Sequence, residues 1–210
     1  MNIIERHRLS NCLKKIEVII WDLDETLYFS PRTINQIRDA YLRRFVGRSK
    51  GQKLIKEFES HEQSGKKWFQ IVAEKKKVSE KDAIIMTENS IDKAKFVSKN
   101  PKLVKYFRKS AHRHIILTNS PRNVTWSVLH KIGFDSALSA FNHVFTIEDM
   151  VHPKPNLKML RKILKIENVT PQQTISIGDS VRTDVLPAKR VGMVTCQIIR
   201  SKETIDRKYE

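Results

Sequence analysis

The sequence predicts an α/β fold: a doubly wound, Rossmann-like parallel sheet with an α-helical segment inserted after the first strand. Three observations predict it. Five short apolar runs are spread along the chain, mostly apolar throughout rather than alternating, as strands covered on both faces are. Helical patterns separate the last four runs, giving the strand–helix alternation of doubly wound domains. The long stretch between the first and second runs carries successive helical stripes and no convincing strand.

The first run is residues 17–22 (EVIIWD). From Pro31 to Phe107 the stripes are Ile34/Ile37/Tyr41/Phe45, Leu54/Ile55/Phe58, Trp68/Phe69/Ile71/Val72 and Ile84/Ile85/Ile91. The last is opened by a capping-box-like pair, Ser79 and Asp82. Pro101 is placed to start a helix returning to the sheet. The second run, residues 114–118 (HIILT), precedes a helix with Ser120 as N-cap, Pro121 as its first residue and Gly133 as its left-handed stop. Residues 143–146 (HVFT) follow, then a helix from about Asn156 with Leu157, Leu160, Ile163 and Leu164 on one face. Residues 174–177 (TISI), a helix after Asp184 that stops at Gly192, and residues 193–198 (MVTCQI) complete the series.

Composition narrows the class of function. A chain of 210 residues can bury a sizeable core. Only 6 Gly and 7 Pro exclude collagen-like and Pro/Gly-rich disordered classes. No apolar run approaches the roughly 18 residues of a membrane span. The opening MNIIERHRLSNCLKK mixes charges throughout and lacks an apolar signal core, so a cytoplasmic protein without membrane association is expected. Cys12 and Cys196 make no disulfide framework and have no metal-ligand spacing; two packed thiols are expected. Forty Lys+Arg against 23 Asp+Glu give +17, which favours phosphorylated small molecules, nucleic acid or another anionic partner. Most of the excess lies between residues 31 and 107, where Lys75–Lys77 reads as a solvated face. Nucleic acid remains a possible partner there, unsupported by a recognised binding motif.

The chemistry-bearing residues cluster at predicted strand ends. After the first strand comes DLDETLY, in which Asp22 and Asp24, two apart on an extended chain, share one face. Such a pair would suit catalysis with an accompanying cation or a shared proton; it would equally suit turn-capping aspartates. The second strand ends in Leu117-Thr118-Asn119-Ser120, small donors at a helix start where anions bind readily. His152-Pro153-Lys154-Pro155 holds a lysine between prolines after the third strand. Gly178-Asp179-Ser180, with Asp184 beyond, follows the fourth. Carboxylates there, facing Asp22 and Asp24, make an oxygen-rich site suited to Mg²⁺.

In this order and spacing, DLDETLY, LTNS, HPKP and GDSVRTD resemble the motifs of the haloacid dehalogenase superfamily, mostly Mg²⁺-dependent phosphohydrolases. The resemblance implies Asp22 as the nucleophile forming an aspartyl phosphate and Asp24 as general acid and base. It implies Thr118, Asn119 and Lys154 around the phosphoryl oxygens. Mg²⁺ would be held by Asp22, the backbone carbonyl of Asp24 and Asp179, with Asp184 in support. A carboxylic acid two positions after the nucleophile marks the phosphatases and sugar-phosphate mutases of the superfamily, not its dehalogenases. The insert resembles the family's helical cap, dividing the chain into a core of residues 1–30 and 108–210 and a cap of residues 31–107. The expected activity is hydrolysis of a small phosphorylated substrate, such as a nucleotide, sugar phosphate or phosphoglycolate. The alternatives are a sugar-phosphate mutase and a nucleic-acid-binding module using the basic insert.

Overall fold

The computed structural model describes residues 13–29, 68–135 and 140–199. In it, β1 Val18–Trp21, β2 Arg113–Leu117, β3 His143–Phe145, β4 Thr174–Gly178 and β5 Val194–Gln197 form one sheet. Every pairing is parallel and the order is β3-β2-β1-β4-β5. All five predicted strands are present. Strand order reverses at β1, which lies between β2 and β4, so its carboxyl end opens at the topological switch point where α/β sheets bind ligands.

The helices among the described residues are α1 Trp68–Lys76, α2 Glu80–Glu88, α3 Pro101–Lys109, α4 Arg122–Ile132, α5 Leu157–Glu167 and α6 Leu186–Val191. They cover the central strands on both faces. Val18, Ile20, Ile115 and Leu117 pack with Met159, Leu160 and Ile163 of α5 and Ala188 of α6. Ile116 packs with Val104 and Phe107 of α3 and with Val124, Val128 and Leu129 of α4. Each such Ile, Leu or Val taken out of water contributes about 1.5–3 kcal/mol, so the sheet's centre carries the fold. The edge strands are less covered. On β5 the Cys196 thiol is exposed, which corrects the expectation of two packed thiols; Cys12 lies outside the described residues.

Helix ends follow the capping chemistry. Ser79 accepts the Asp82 N–H at the start of α2, Asn100 that of Leu103 before α3, and Asn156 that of Met159 before α5. Gly133 (φ +118°) and Gly192 (φ +89°) stop α4 and α6 in the left-handed region, which costs glycine least. One expectation is corrected. α4 starts at Arg122 with Pro121, not Ser120, at the cap position, because the Ser120 hydroxyl is engaged elsewhere. The helix expected after Asp184 is present as α6 and stops at Gly192; a π-turn over Val181–Val185 precedes it, where Ser180 accepts the Thr183 N–H.

In the segment between β1 and β2, the stripes Ile34/Ile37/Tyr41/Phe45 and Leu54/Ile55/Phe58 lie outside the described residues. Phe69, Ile71 and Val72 of α1 and Ile84 of α2 are buried, whereas Lys75–Lys77 are exposed. Phe69 and Ile84 join the cluster that contains Val18 and Ile115. Lys81 of α2 also donates to the carbonyls of Glu148 (3.1 Å) and Met150 (2.8 Å), tethering that helix to the turn after β3. No helix among the described residues is long and apolar enough to cross a membrane.

Candidate active site

The ladder between β1 and β4 extends one residue past Trp21, where the Asp22 N–H donates to the Ile177 carbonyl at 2.9 Å. The chain then turns, with the N–H groups of Thr26 and Leu27 returning to the Leu23 carbonyl. Leu23 is fully buried among the apolar residues of α4, which leaves Asp22 and Asp24 on the opposite, site-facing side.

Asp22 is buried, and its Oδ1 accepts from Lys154 Nζ at 2.5 Å while Oδ2 accepts from the Thr26 hydroxyl at 3.2 Å. Lys154 also donates to Asp184 Oδ1 at 2.8 Å. One oxygen from each of Asp22, Asp179 and Asp184 lies within 4.8 Å of the others. Gly178 makes that crowding possible, because a Cβ there would stand 2.5 Å from the Asp184 carboxyl group. Asp184 Oδ2 accepts the Ser180 N–H at 3.1 Å, so its carboxylate is fixed from the β4 side as well.

Three carboxylates around one ammonium leave negative charge in excess. Burial pushes the Asp22 carboxyl up to about 8, against the pull of Lys154 and with Asp184 adding to the rise. Burial and Asp184 likewise raise Asp179 to about 6. Lys154 stays cationic, since Asp184 and Asp22 outweigh the burial that would lower it. A hard divalent cation suits this donor set, in both its oxygen chemistry and its missing charge.

The phosphate-side residues divide. Thr118 is fully buried and its Oγ1 accepts the Ser120 N–H at 3.0 Å, which leaves the hydroxyl proton to donate. Asn119 holds the backbone of Lys154: its Oδ1 accepts the Lys154 N–H at 2.7 Å and its amide reaches the Lys154 carbonyl at 3.5 Å. It therefore ties the 152–155 loop to β2 and places the lysine. His152 is exposed on that loop and its carbonyl accepts from Asn156 at 2.8 Å.

Asp24 belongs to a second cluster that sequence reading did not anticipate. Its Oδ1 accepts from Lys93 Nζ at 2.9 Å and from the Tyr28 hydroxyl, and its Oδ2 from the Ser120 hydroxyl at 2.7 Å. Lys93 pairs with Glu88 as well, and donates to Ser120 Oγ at 3.0 Å. Burial would raise Asp24, but the Lys93 charge and the hydrogen bonds from Tyr28, Lys93 and Ser120 overcome it and hold the carboxyl below its ordinary value. Burial raises Glu88 instead. Lys93 is held above the usual lysine value because Asp24 and Glu88 outweigh its burial.

The family model for haloacid dehalogenase-like hydrolases matches residues 19–198, which include β1 from its second residue, β2 to β5 and all of the residues described above at the site. The chain belongs to that family. Among curated relatives, the glyceraldehyde 3-phosphate phosphatase of Methanocaldococcus jannaschii is 30% identical over 87 residues, 41% of this chain and 37% of the relative. The chain thus spans little more than a third of that relative's length. Among solved structures, a phosphatase of the same superfamily from Thermococcus onnurineus superposes with a TM-score of 0.60 at 20% identity, covering 92% of this chain and 90% of the other. A family enzyme from Bacteroides thetaiotaomicron, captured with magnesium and inorganic phosphate, superposes with a TM-score of 0.57 at 15% identity over 91% of this chain and all of that one. At these identities the structures speak for the fold.

Within this haloacid dehalogenase-like hydrolase, the fold brings Asp22, Lys154, Asp179 and Asp184 into one cluster. Asp24 and Ser120 enter the neighbouring one with Lys93, Glu88 and Tyr28. Tyr28 could have been found, since it lies four residues after Asp24 within the DLDETLY turn. Lys93 and Glu88 carried no signal: they are one lysine and one glutamate of a strongly charged insert.

Proposed function

We propose that this protein is a metal-dependent phosphomonoesterase that transfers the phosphoryl group of a small organic phosphate through Asp22 to water. The observation that carries this reading is the buried Asp22 carboxylate, held by Lys154 at 2.5 Å and crowded by Asp179 and Asp184 at the switch point of the sheet. Asp22, Asp179 and Asp184 would hold Mg²⁺, with the Asp24 carbonyl in support; the ion supplies positive charge that offsets carboxylate repulsion and the charge of the transferring group.

The chain's own residues account for the steps. An Asp22 oxygen attacks phosphorus as the bond to the leaving oxygen breaks, and Asp24 delivers a proton to that oxygen. Water then attacks the aspartyl phosphate, Asp24 takes its proton, and free Asp22 and inorganic phosphate result. Lys154 and the Thr118 hydroxyl bind non-bridging phosphoryl oxygens through both steps. Asn119 orients Lys154 through its backbone. The segment between β1 and β2 acts as a cap that chooses the substrate and excludes water. The matched glyceraldehyde 3-phosphate phosphatase points towards small sugar phosphates.

The test is release of inorganic phosphate from nucleotides, phosphoglycolate and sugar phosphates, glyceraldehyde 3-phosphate included. It compares Mg²⁺ with chelator and wild type with Asp22→Asn. Release that needs the metal and disappears in the variant is expected. Wild-type rates from Asp22→Asn would refute the mechanism, and a rearranged sugar phosphate in place of free phosphate would make the protein a mutase.

A further inference from the structure

We propose that Lys93, anchored by Glu88, is a positioning residue that sets the orientation of the Asp24 carboxylate. This rests on the phosphatase reading above and extends it to the segment between β1 and β2.

Lysine is almost never fully buried unless paired, and Lys93 is only 4% exposed. Its ammonium has three N–H donors and three oxygen partners: Asp24 at 2.9 Å, Ser120 at 3.0 Å, and Glu88. Nothing is left over for solvent. The anchor is itself firm. Between Glu88 at the end of α2 and Lys93, the Ser90 N–H returns to Thr87, Ile91 to Glu88 and Lys93 to Ile91, all within 3.2 Å.

On the receiving side the arrangement is selective. Asp24 Oδ1 is filled by Lys93 and Tyr28, whereas Oδ2 takes only the Ser120 hydroxyl. A carboxylate has about four acceptor positions, so one stays open on Oδ2, and the side chain is 32% exposed. Lys93 thus grips one oxygen and leaves an acceptor position open on the other. It also separates the two acids. Lys154 takes Asp22 and Lys93 takes Asp24, which keeps a nucleophile and a proton carrier two residues apart in distinct settings.

Leaving groups separate positioning from mere support. An alkyl phosphate such as glyceraldehyde 3-phosphate needs a proton on the departing oxygen, whereas p-nitrophenyl phosphate scarcely does. In Lys93→Met, kcat/KM for the alkyl ester, which reports the steps up to departure of the leaving group, is expected to fall by about 10- to 100-fold, a share of what general acid catalysis supplies. With p-nitrophenyl phosphate it should fall by less than about threefold on the same scale. Lys93→Arg should recover part of the loss, and Glu88→Gln should show a weaker version of the same pattern. Equal losses on both esters, or none on either, would overturn the proposal. If Lys93→Met does not fold, the Glu88→Gln/Lys93→Met double variant removes the charge pair together and takes the same test. A crystal structure of the variant decides the point without activity: a turned Asp24 carboxylate supports the proposal and an unmoved one overturns it. Wild type that hydrolyses neither ester with Mg²⁺ would sink the phosphatase reading alone, and the crystal structure would still decide the role of Lys93.

Discussion

Two buried lysines organise the site, and they do so from different parts of the chain. Lys154 stands on a loop of the sheet domain between Asp22 and Asp184 at 2.5 and 2.8 Å. Lys93 stands in the segment between β1 and β2, paired with Asp24 and Glu88. Each faces two acids, yet their surroundings differ. Around Lys154 a third carboxylate, Asp179, joins and leaves negative charge in excess. Around Lys93 two hydroxyls, from Tyr28 and Ser120, complete the set and all donors are matched. The first cluster has a donor set that suits a cation; in the second every donor of Lys93 is matched, and on the proposal above it holds one carboxylate still.

The sharpest way to break this comparison is at the acids. Asp22→Asn should lower phosphate release by at least about a thousandfold, because the proposed nucleophile has no substitute, whereas Asp24→Asn should lower kcat/KM less for p-nitrophenyl phosphate than for alkyl esters. A malachite-green assay on both variants checks it. Next comes stability. Removing either lysine strands buried carboxylates, so Lys154→Met without metal should lose about 3–5 kcal/mol in urea unfolding. Mg²⁺ should restore part of that loss, since the carboxylates proposed to hold it belong to the same cluster, and should restore none in Lys93→Met.

Gly178→Ala sharpens the contrast from the backbone. Its Cβ would stand 2.5 Å from the Asp184 carboxyl group, so Mg²⁺ affinity by calorimetry should drop by about 10- to 100-fold while the Lys93 cluster is untouched. Titration gives a smaller effect. Asp22 and Asp179 have folded values raised to about 8 and about 6. The folded state therefore binds more protons than the unfolded chain between about pH 4 and 8, and metal-free stability should fall as pH rises through that window. Urea midpoints taken across it should decline, and Asp22→Asn should flatten the decline. The smallest effect is Ser79→Ala, which removes the N-cap of α2 and should cost about 1 kcal/mol in unfolding with activity unchanged.

The ease with which each cluster could be read from sequence follows from where its residues lie. Asp22, Asp179 and Lys154 follow strands with a few residues between, so an apolar run fixes where each side chain must emerge. The resemblance gives Asp184 a supporting place, and the absent side chain of Gly178 lets its carboxylate lie within 4.8 Å of those of Asp22 and Asp179. Ser120 was read as a helix cap because serine before proline usually is one. In the structure a lysine 27 residues away claims its hydroxyl, and Pro121 takes the cap position without a side-chain bond. The resemblance puts Asn119 around the phosphoryl oxygens; in the structure its amide oxygen accepts the Lys154 N–H, a pairing that no local pattern announces.

By itself the sequence determined the five strands, their mostly continuous apolar character and the order of four motifs at their carboxyl ends. Those features are local: periodicity, caps and turn residues act over a few positions, and a parallel sheet leaves few choices once they are set. Only the tertiary structure decided which lysine meets which acid. Lys93 and Asp24 are 69 residues apart, and one charge among many in a basic segment becomes distinctive only when burial removes water and leaves it to its partners.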